Sequence, residues 1–138
     1  MKMTECGIGK IGWLESHILL VDIEEGTEIG VEDIYEFNNV ASQLSQDKGR
    51  FNIVNYGAFS YPTKEARELC AAQSKNDLVL GRALVVHDLG QFIIAKHTVK
   101  SQKSNVPTRI FTSLEHATKW VQLLKLDRIE NQRVAQRV

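Results

Sequence analysis

The sequence is poor in the features that mark a specialised class of protein. Its 2 cysteines, Cys6 and Cys70, are too few for a disulfide framework. One lies near the start and one inside a helical pattern, which suits reduced thiols in a cytoplasm. Charge of one sign is also missing, since Lys+Arg and Asp+Glu are both 17. Without a basic excess there is no footprint of a nucleic-acid binder. Long apolar runs are absent too: the longest near the start, Ile18 to Val21, falls far short of the ~20 residues that span a bilayer. The opening Met1-Lys2-Met3-Thr4-Glu5-Cys6-Gly7 has no apolar run of about seven residues behind its charge, so no secretory signal is expected. No internal repeat or low-complexity segment stands out, and the expected location is the cytoplasm.

What is present is an ordinary globular composition, 43% hydrophobic and 25% charged over 138 residues, enough for one domain with a real core. The balanced charge hides an asymmetry. Between Ile11 and Asp47 lie Glu15, Asp22, Glu24, Glu25, Glu28, Glu32, Asp33, Glu36 and Asp47 with no lysine or arginine. Between Leu89 and Leu114 lie Lys96, Lys100, Lys103 and Arg109 with no acid.

Along the chain, Ile8 to Leu14 and His17 to Ile23 read as strands around Glu15-Ser16 and are expected to pair as a hairpin. Val31 to Leu44 places Ile34, Phe37, Ala41 and Leu44 on one helical face, with Glu32 and Asp33 where the helix dipole favours anions. Phe51 to Tyr56 alternates as a strand. Thr63 can cap a helix over Lys64 to Ser74 whose buried stripe is Ala66, Leu69 and Cys70. The dense apolar run from Leu78 to Val86, broken by Gly81-Arg82, predicts a strand covered on both faces. Leu89, Phe92, Ile93, Lys96 and Val99 follow helical spacing, Ser101 to Asn105 reads as a loop, and Pro107 to Phe111 as a short strand. Thr112 or Ser113 can cap a last helix that turns Ala117, Trp120, Val121 and Leu124 inward. Residues 125–138 then extend the helix, pack on a partner, or fray, as an appendix to a domain over residues 1–124. The order β-β-α-β-α-β-α-β-α implies a mostly parallel sheet with an antiparallel entry hairpin.

That order, with the segment Lys103-Ser104-Asn105-Val106-Pro107-Thr108-Arg109-Ile110-Phe111-Thr112-Ser113-Leu114-Glu115-His116-Ala117-Thr118-Lys119-Trp120, resembles the SpoIIAA-like, or STAS-like, family of small uncharacterised bacterial proteins. The resemblance covers roughly residues 8 to 124 as an architecture. It implies an α/β fold of STAS-like type and a role in binding partners or small ligands rather than catalysis. The anti-sigma-factor antagonists among such proteins carry a phosphorylatable serine in an Asp-Ser-Ser-Gly motif. The equivalent stretch, Phe59-Ser60-Tyr61-Pro62-Thr63-Lys64, lacks it. Ser60 and Thr63 remain the candidate phosphorylation positions, with Thr63 as a plain N-cap the blander reading.

Other motifs carry less. Gly7-Ile8-Gly9-Lys10-Ile11-Gly12 has the letters G-x-G-x-x-G, but only 6 residues precede it and strand-like sequence rather than a helix follows, so no dinucleotide site is expected. His17, His87, His97 and His116 sit on separate elements without ligand spacing, so neither a metal nor another cofactor is expected. His87-Asp88 follows the central strand, where α/β sheets bind ligands, yet no nucleophile is tied to it; a helix cap is the plainer role for Asp88. Phe92, Lys96, His97, Lys100, Lys103 and Arg109 form the candidate binding face for an anion or an acidic partner surface, or else a solvated surface. Phe92 and Ile94 fall on different faces of one turn, so at least one should be partly exposed.

These readings converge on a non-enzymatic module that binds a protein partner or a second copy of itself. The alternative is a carrier or sensor of a small lipid-like or anionic molecule, with Phe92 as wall and Lys96, Lys100 or Arg109 as anion contacts.

Overall fold

A computed structural model describes residues 2–73, 78–101 and 106–137. Its main sheet has 6 strands in the order β1-β2-β3-β5-β7-β8. These are β1 (Met3–Cys6), β2 (Gly9–Glu15), β3 (Ile18–Ile23), β5 (Arg50–Asn55), β7 (Val79–Val85) and β8 (Thr108–Phe111). A small parallel pair, β4 (Glu28–Ile29) and β6 (Tyr61–Pro62), stands apart. The helices are α1 (Val31–Ser45), α2 (Lys64–Gln73), α3 (Leu89–Ser101) and α4 (Leu114–Arg137).

The expected hairpin forms: β2 and β3 pair antiparallel around Ser16-His17, with His17 at φ 68. From β3 onward each strand is parallel to the last. Because β3, β5, β7 and β8 advance in one direction across the sheet, right-handed crossovers put α1, α2 and α3 on the same face. The contacts of α1 with α2 and of α2 with α3 show that layer. The last helix, α4, covers the opposite face against β5, β7 and β8. Two-sided burial explains why β7 reads as an almost unbroken apolar run.

The strand alternation divides the core accordingly. Ile18, Leu20, Phe51, Ile53, Ala83 and Val85 point to α4, where they meet Ala117 and Val121. Leu19, Val21 and Ile23 point the other way to Phe37 and Ala41 of α1. Leu84 and Val86 meet Ala95 of α3. The inward faces expected for α1, α2 and α4 are those observed.

Two differences from the expectation stand out. Cys6, expected near a frayed end, belongs to an edge strand, because Met3–Cys6 pairs with β2. Two glycines of the G-x-G-x-x-G segment allow β2 to lie close to its neighbours on either side. A Cβ on Gly9 would collide with the carbonyl oxygen of Asp22, and one on Gly12 with that of Lys2. Ser101 still belongs to α3, and the remainder of the loop expected there lies outside the described residues. Of the alternatives open for the residues beyond Leu124, extension of the helix is the one observed, α4 continuing without a break to Arg137.

The start and the middle of the long helix are anchored by side chains. Ser113, not Thr112, caps α4, accepting the His116 N–H at 3.4 Å. Further on, Gln122 Nε2 donates to Glu15 Oε1 at 2.6 Å, and Lys125 Nζ reaches Glu15 Oε2 at 3.3 Å and the Ser16 carbonyl at 2.6 Å. The hydrogen bond from Gln122 and the nearby Lys125 ammonium hold the Glu15 carboxyl below its usual range, against a smaller opposing effect of burial.

Candidate functional site

A cavity of about 440 Å³ lies between the sheet and the layer formed by α1, α2 and α3. Its floor follows from strand register. On the face turned to these helices, Asn52, Arg82 and Thr108 are neighbours across β5, β7 and β8. One pleat further, Val21, Val54, Leu84 and Ile110 form an apolar row. The roof is supplied by Phe37 and Ala41 of α1, Arg67 and Cys70 of α2, and Ile94, Ala95 and Val99 of α3. Among the described residues its lining holds two arginines and no carboxylate.

The polar floor is under-satisfied. Asn52 Oδ1 is buried and has no hydrogen-bond partner among the described residues. Arg82 is half-buried, and the ion pairs among the described residues involve Lys119 and Lys125 only. Burial presses its guanidinium below the usual arginine value, partly offset by Cys70 and Tyr56 nearby. Burial likewise pushes the Tyr56 phenol well above its ordinary value, so it stays a hydrogen-bond donor. The Cys70 thiol is raised by burial against the pull of Arg82, which leaves it protonated and poorly nucleophilic at neutral pH.

Gln91 closes the end of the cavity near the carboxyl ends of the strands. Only 4% exposed, it donates from Nε2 to the carbonyls of Gly57 at 2.7 Å and Ser60 at 2.9 Å. Its Oε1 accepts the His87 N–H at 2.8 Å. This one side chain ties the loop after β5 to the start of α3.

The residues singled out from sequence go to several places. Ser60 is fully buried at the cavity wall, and its Oγ donates to the Gly57 carbonyl at 2.6 Å. Thr63 Oγ1 accepts the Ala66 N–H at 3.1 Å and caps α2. Asp88 caps α3 through Gln91 N–H at 2.9 Å and also accepts from Tyr61 Oη at 2.8 Å and Phe59 N–H at 3.0 Å. Partial burial would raise the Asp88 carboxyl, but these bonds outweigh it and hold it low. His87 turns to a different partner, Asn55 Oδ1 at 2.7 Å. The Asn55 amide nitrogen donates to Asp22 Oδ1 at 3.0 Å, so its oxygen must accept and His87 Nε2 carries the proton. His87 and Asp88 therefore do not form a pair. His87 instead borders a shallower hollow of about 370 Å³ with Asp22, Glu24 and Glu25.

The cationic face expected around α3 is divided by the fold. Phe92, Lys96, His97 and Lys100 stand on its exposed side, so Phe92 is not a cavity wall; Ile94, on the other side of the turn, is. Arg109 projects on the α4 face of β8, over the Phe111 ring at 5.3 Å. The alternation of β8 puts it on the side of the sheet away from α3. Lys103 lies outside the described residues. Among the described residues no group of His, Cys, Asp and Glu is placed to hold a metal ion.

Arg67, Arg82, Asn52 and Gln91 were not singled out from the sequence. The signal lay in Arg82, a charged residue inside a strand already expected to be covered on both faces. Such a side chain cannot reach solvent across a flat sheet, and must face a partner or a cavity.

A family model described as "Domain of unknown function (DUF7793)" matches residues 12–125, which include the cavity-lining residues except Ile11. The chain belongs to that family. No curated protein matches it. Among solved structures, the chain is similar to an uncharacterised protein of the DUF3478 family with a SpoIIAA-like fold from Shewanella loihica PV-4. The TM-score is 0.59 at 12% identity, over 86% of this chain and 98% of that one. The likeness establishes a SpoIIAA-like fold and extends no further. No helix among the described residues is long and apolar enough to cross a membrane.

Proposed function

We propose that this DUF7793 chain is a carrier or sensor of a small amphipathic molecule, held between the sheet and α1–α3. The observation that carries the reading is the cavity itself. Protein interiors are close-packed, and voids much larger than a water molecule are few. A space of about 440 Å³ falls within the range of about 300–1,000 Å³ typical of small-molecule sites, with an apolar wall and a few polar groups. Leaving it empty forfeits the dispersion contacts of Phe37, Val54 and Leu84, and leaves Asn52 unsatisfied. An occupant relieves both costs.

A native mass spectrum of gently purified protein tests this. The expected result is an adduct of defined mass on the folded chain, lost on denaturation, or its appearance when decanoate is added. A folded chain that neither retains nor takes up any such molecule overturns the reading.

A second reading, self-association through the outer face of α3, rests on a separate observation. Leu89 is 73% and Ile93 58% exposed on that face, beside Lys96 and Lys100. The exposed acids Glu28, Glu32 and Glu36 offer a complementary surface on a second copy. Ile93→Asp should then turn a dimer into a monomer by sedimentation; a wild-type chain that stays monomeric at high concentration removes this reading.

A further inference from the structure

We propose that the molecule held in the cavity is a carboxylic acid bearing a hydroxyl or amide N–H close to its head, with Arg82 reading the acid and Asn52 the donor. This rests on the carrier reading and narrows it to a ligand class.

The argument begins with sign. Arg67 and Arg82 line the cavity with no aspartate or glutamate among the described lining residues. A cation kept out of water without a counter-charge is costly, and a bound anion repays that cost where a neutral guest does not. The guanidinium of Arg82 fits a carboxylate through two parallel N–H···O bonds. The Tyr56 phenol, which also lines the cavity and is held in its protonated form by burial, adds a further donor to it.

The second requirement comes from Asn52. It is the register neighbour of Arg82 on the same floor, and its Oδ1 is a buried acceptor without a donor. A carboxylate alone cannot satisfy it, because both its oxygens are acceptors as well. A hydroxyl or N–H on a carbon near the head can donate to Oδ1 while the acid meets Arg82. Beyond this polar row the floor is Val54 and Leu84 under Phe37, so the rest of the ligand is hydrocarbon.

Size follows from volume. At the ~30 Å³ that one water occupies in the liquid, about 440 Å³ holds on the order of fifteen non-hydrogen atoms. A medium-chain hydroxy acid is that size. A monoanion is favoured over a phosphate monoester, whose charge approaches about −2 and whose three oxygens ask for more donors than Arg82 and Tyr56 supply.

The test is titration calorimetry of the full chain at neutral pH with decanoate, β-hydroxydecanoate and decanol, on the wild type, Arg82→Met and Asn52→Leu, each checked for a cooperative melt. In the wild type, decanoate should bind about tenfold or more tightly than decanol. β-Hydroxydecanoate should exceed decanoate by about threefold or more. Arg82→Met should bring decanoate to the level of decanol and leave decanol unchanged. Asn52→Leu should abolish only the advantage of the hydroxyl. Should one variant fail to fold, the wild-type ranking and the other variant still decide. Equal affinity of the wild type for decanol and decanoate overturns the acid head while leaving the cavity reading intact. Equal affinity for the two acids overturns the role given to Asn52. Failure of all three probes to bind overturns the carrier reading as well.

Discussion

Single residues carry the chemistry of this molecule, and Arg82 is the most telling. A guanidinium half-buried among apolar walls, with no carboxylate among the described residues of the cavity lining, weakens the empty protein. Arg82→Met, which keeps the length and removes the charge, should therefore raise the melting temperature of the ligand-free chain; a fall would show that Arg82 has a stabilising partner. The opposite face gives the contrast. Ile53 is fully buried in the layer packed against α4. Ile53→Ala should cost about 2–5 kcal/mol in chemical denaturation. Thr63→Ala, which removes only the α2 cap, should cost about 1 kcal/mol.

At the scale of elements, the long helix α4 is held to the hairpin turn by a titratable contact. Glu15 accepts from Gln122 and Lys125, and its carboxyl is held below the ordinary range. A depressed carboxylate contributes stability that is complete above its unfolded-state value near 4.5 and lost as pH falls through the lower folded value. The cap of α3 by Asp88 has the same sign. Stability should thus drop on acidification below the ordinary carboxylate range, and Glu15→Gln should flatten part of that slope by slightly lowering the plateau above it. Hydrogen exchange of α4 amides across that pH range checks it.

Most elements were legible in sequence because their period shows which side is buried. Phe37 and Ala41 mark the inner face of α1, and Ala117 and Val121 that of α4, at helical spacing. The strands β1, β4 and β6 were not legible. They are short, and each gains its ladder only from a partner that the fold brings near, as Glu28–Ile29 does from Tyr61–Pro62. The cavity was hidden for a related reason. In Phe51-Asn52-Ile53-Val54, alternation makes Asn52 look solvent-facing, whereas β5 is covered on both faces. Adjacent exposed residues on α3, Phe92, Lys96 and Lys100, drew attention because charge is easy to see in sequence. Void space is not.

The whole molecule is two layers of unequal quality on one sheet. The single helix α4 packs against its face through Ala117 and Val121, while three shorter helices bridge the other face and leave a cavity. Right-handed connections between successive parallel strands dictate that division, and they place the polar row of Asn52, Arg82 and Thr108 under the looser roof. The same architecture presents Leu89 and Ile93 to solvent on the far side of α3. A bound amphiphile thus has two alternative places to go, inside or on the surface.

Methyl NMR of Ile-, Leu- and Val-labelled protein during addition of decanoate separates them. The account predicts saturable shifts at Ile23, Ile29, Val54, Leu84 and Ile94, which line the cavity, while Leu89 and Ile93 stay put. Shifts confined to Leu89 and Ile93, with the cavity methyls unmoved, would contradict it.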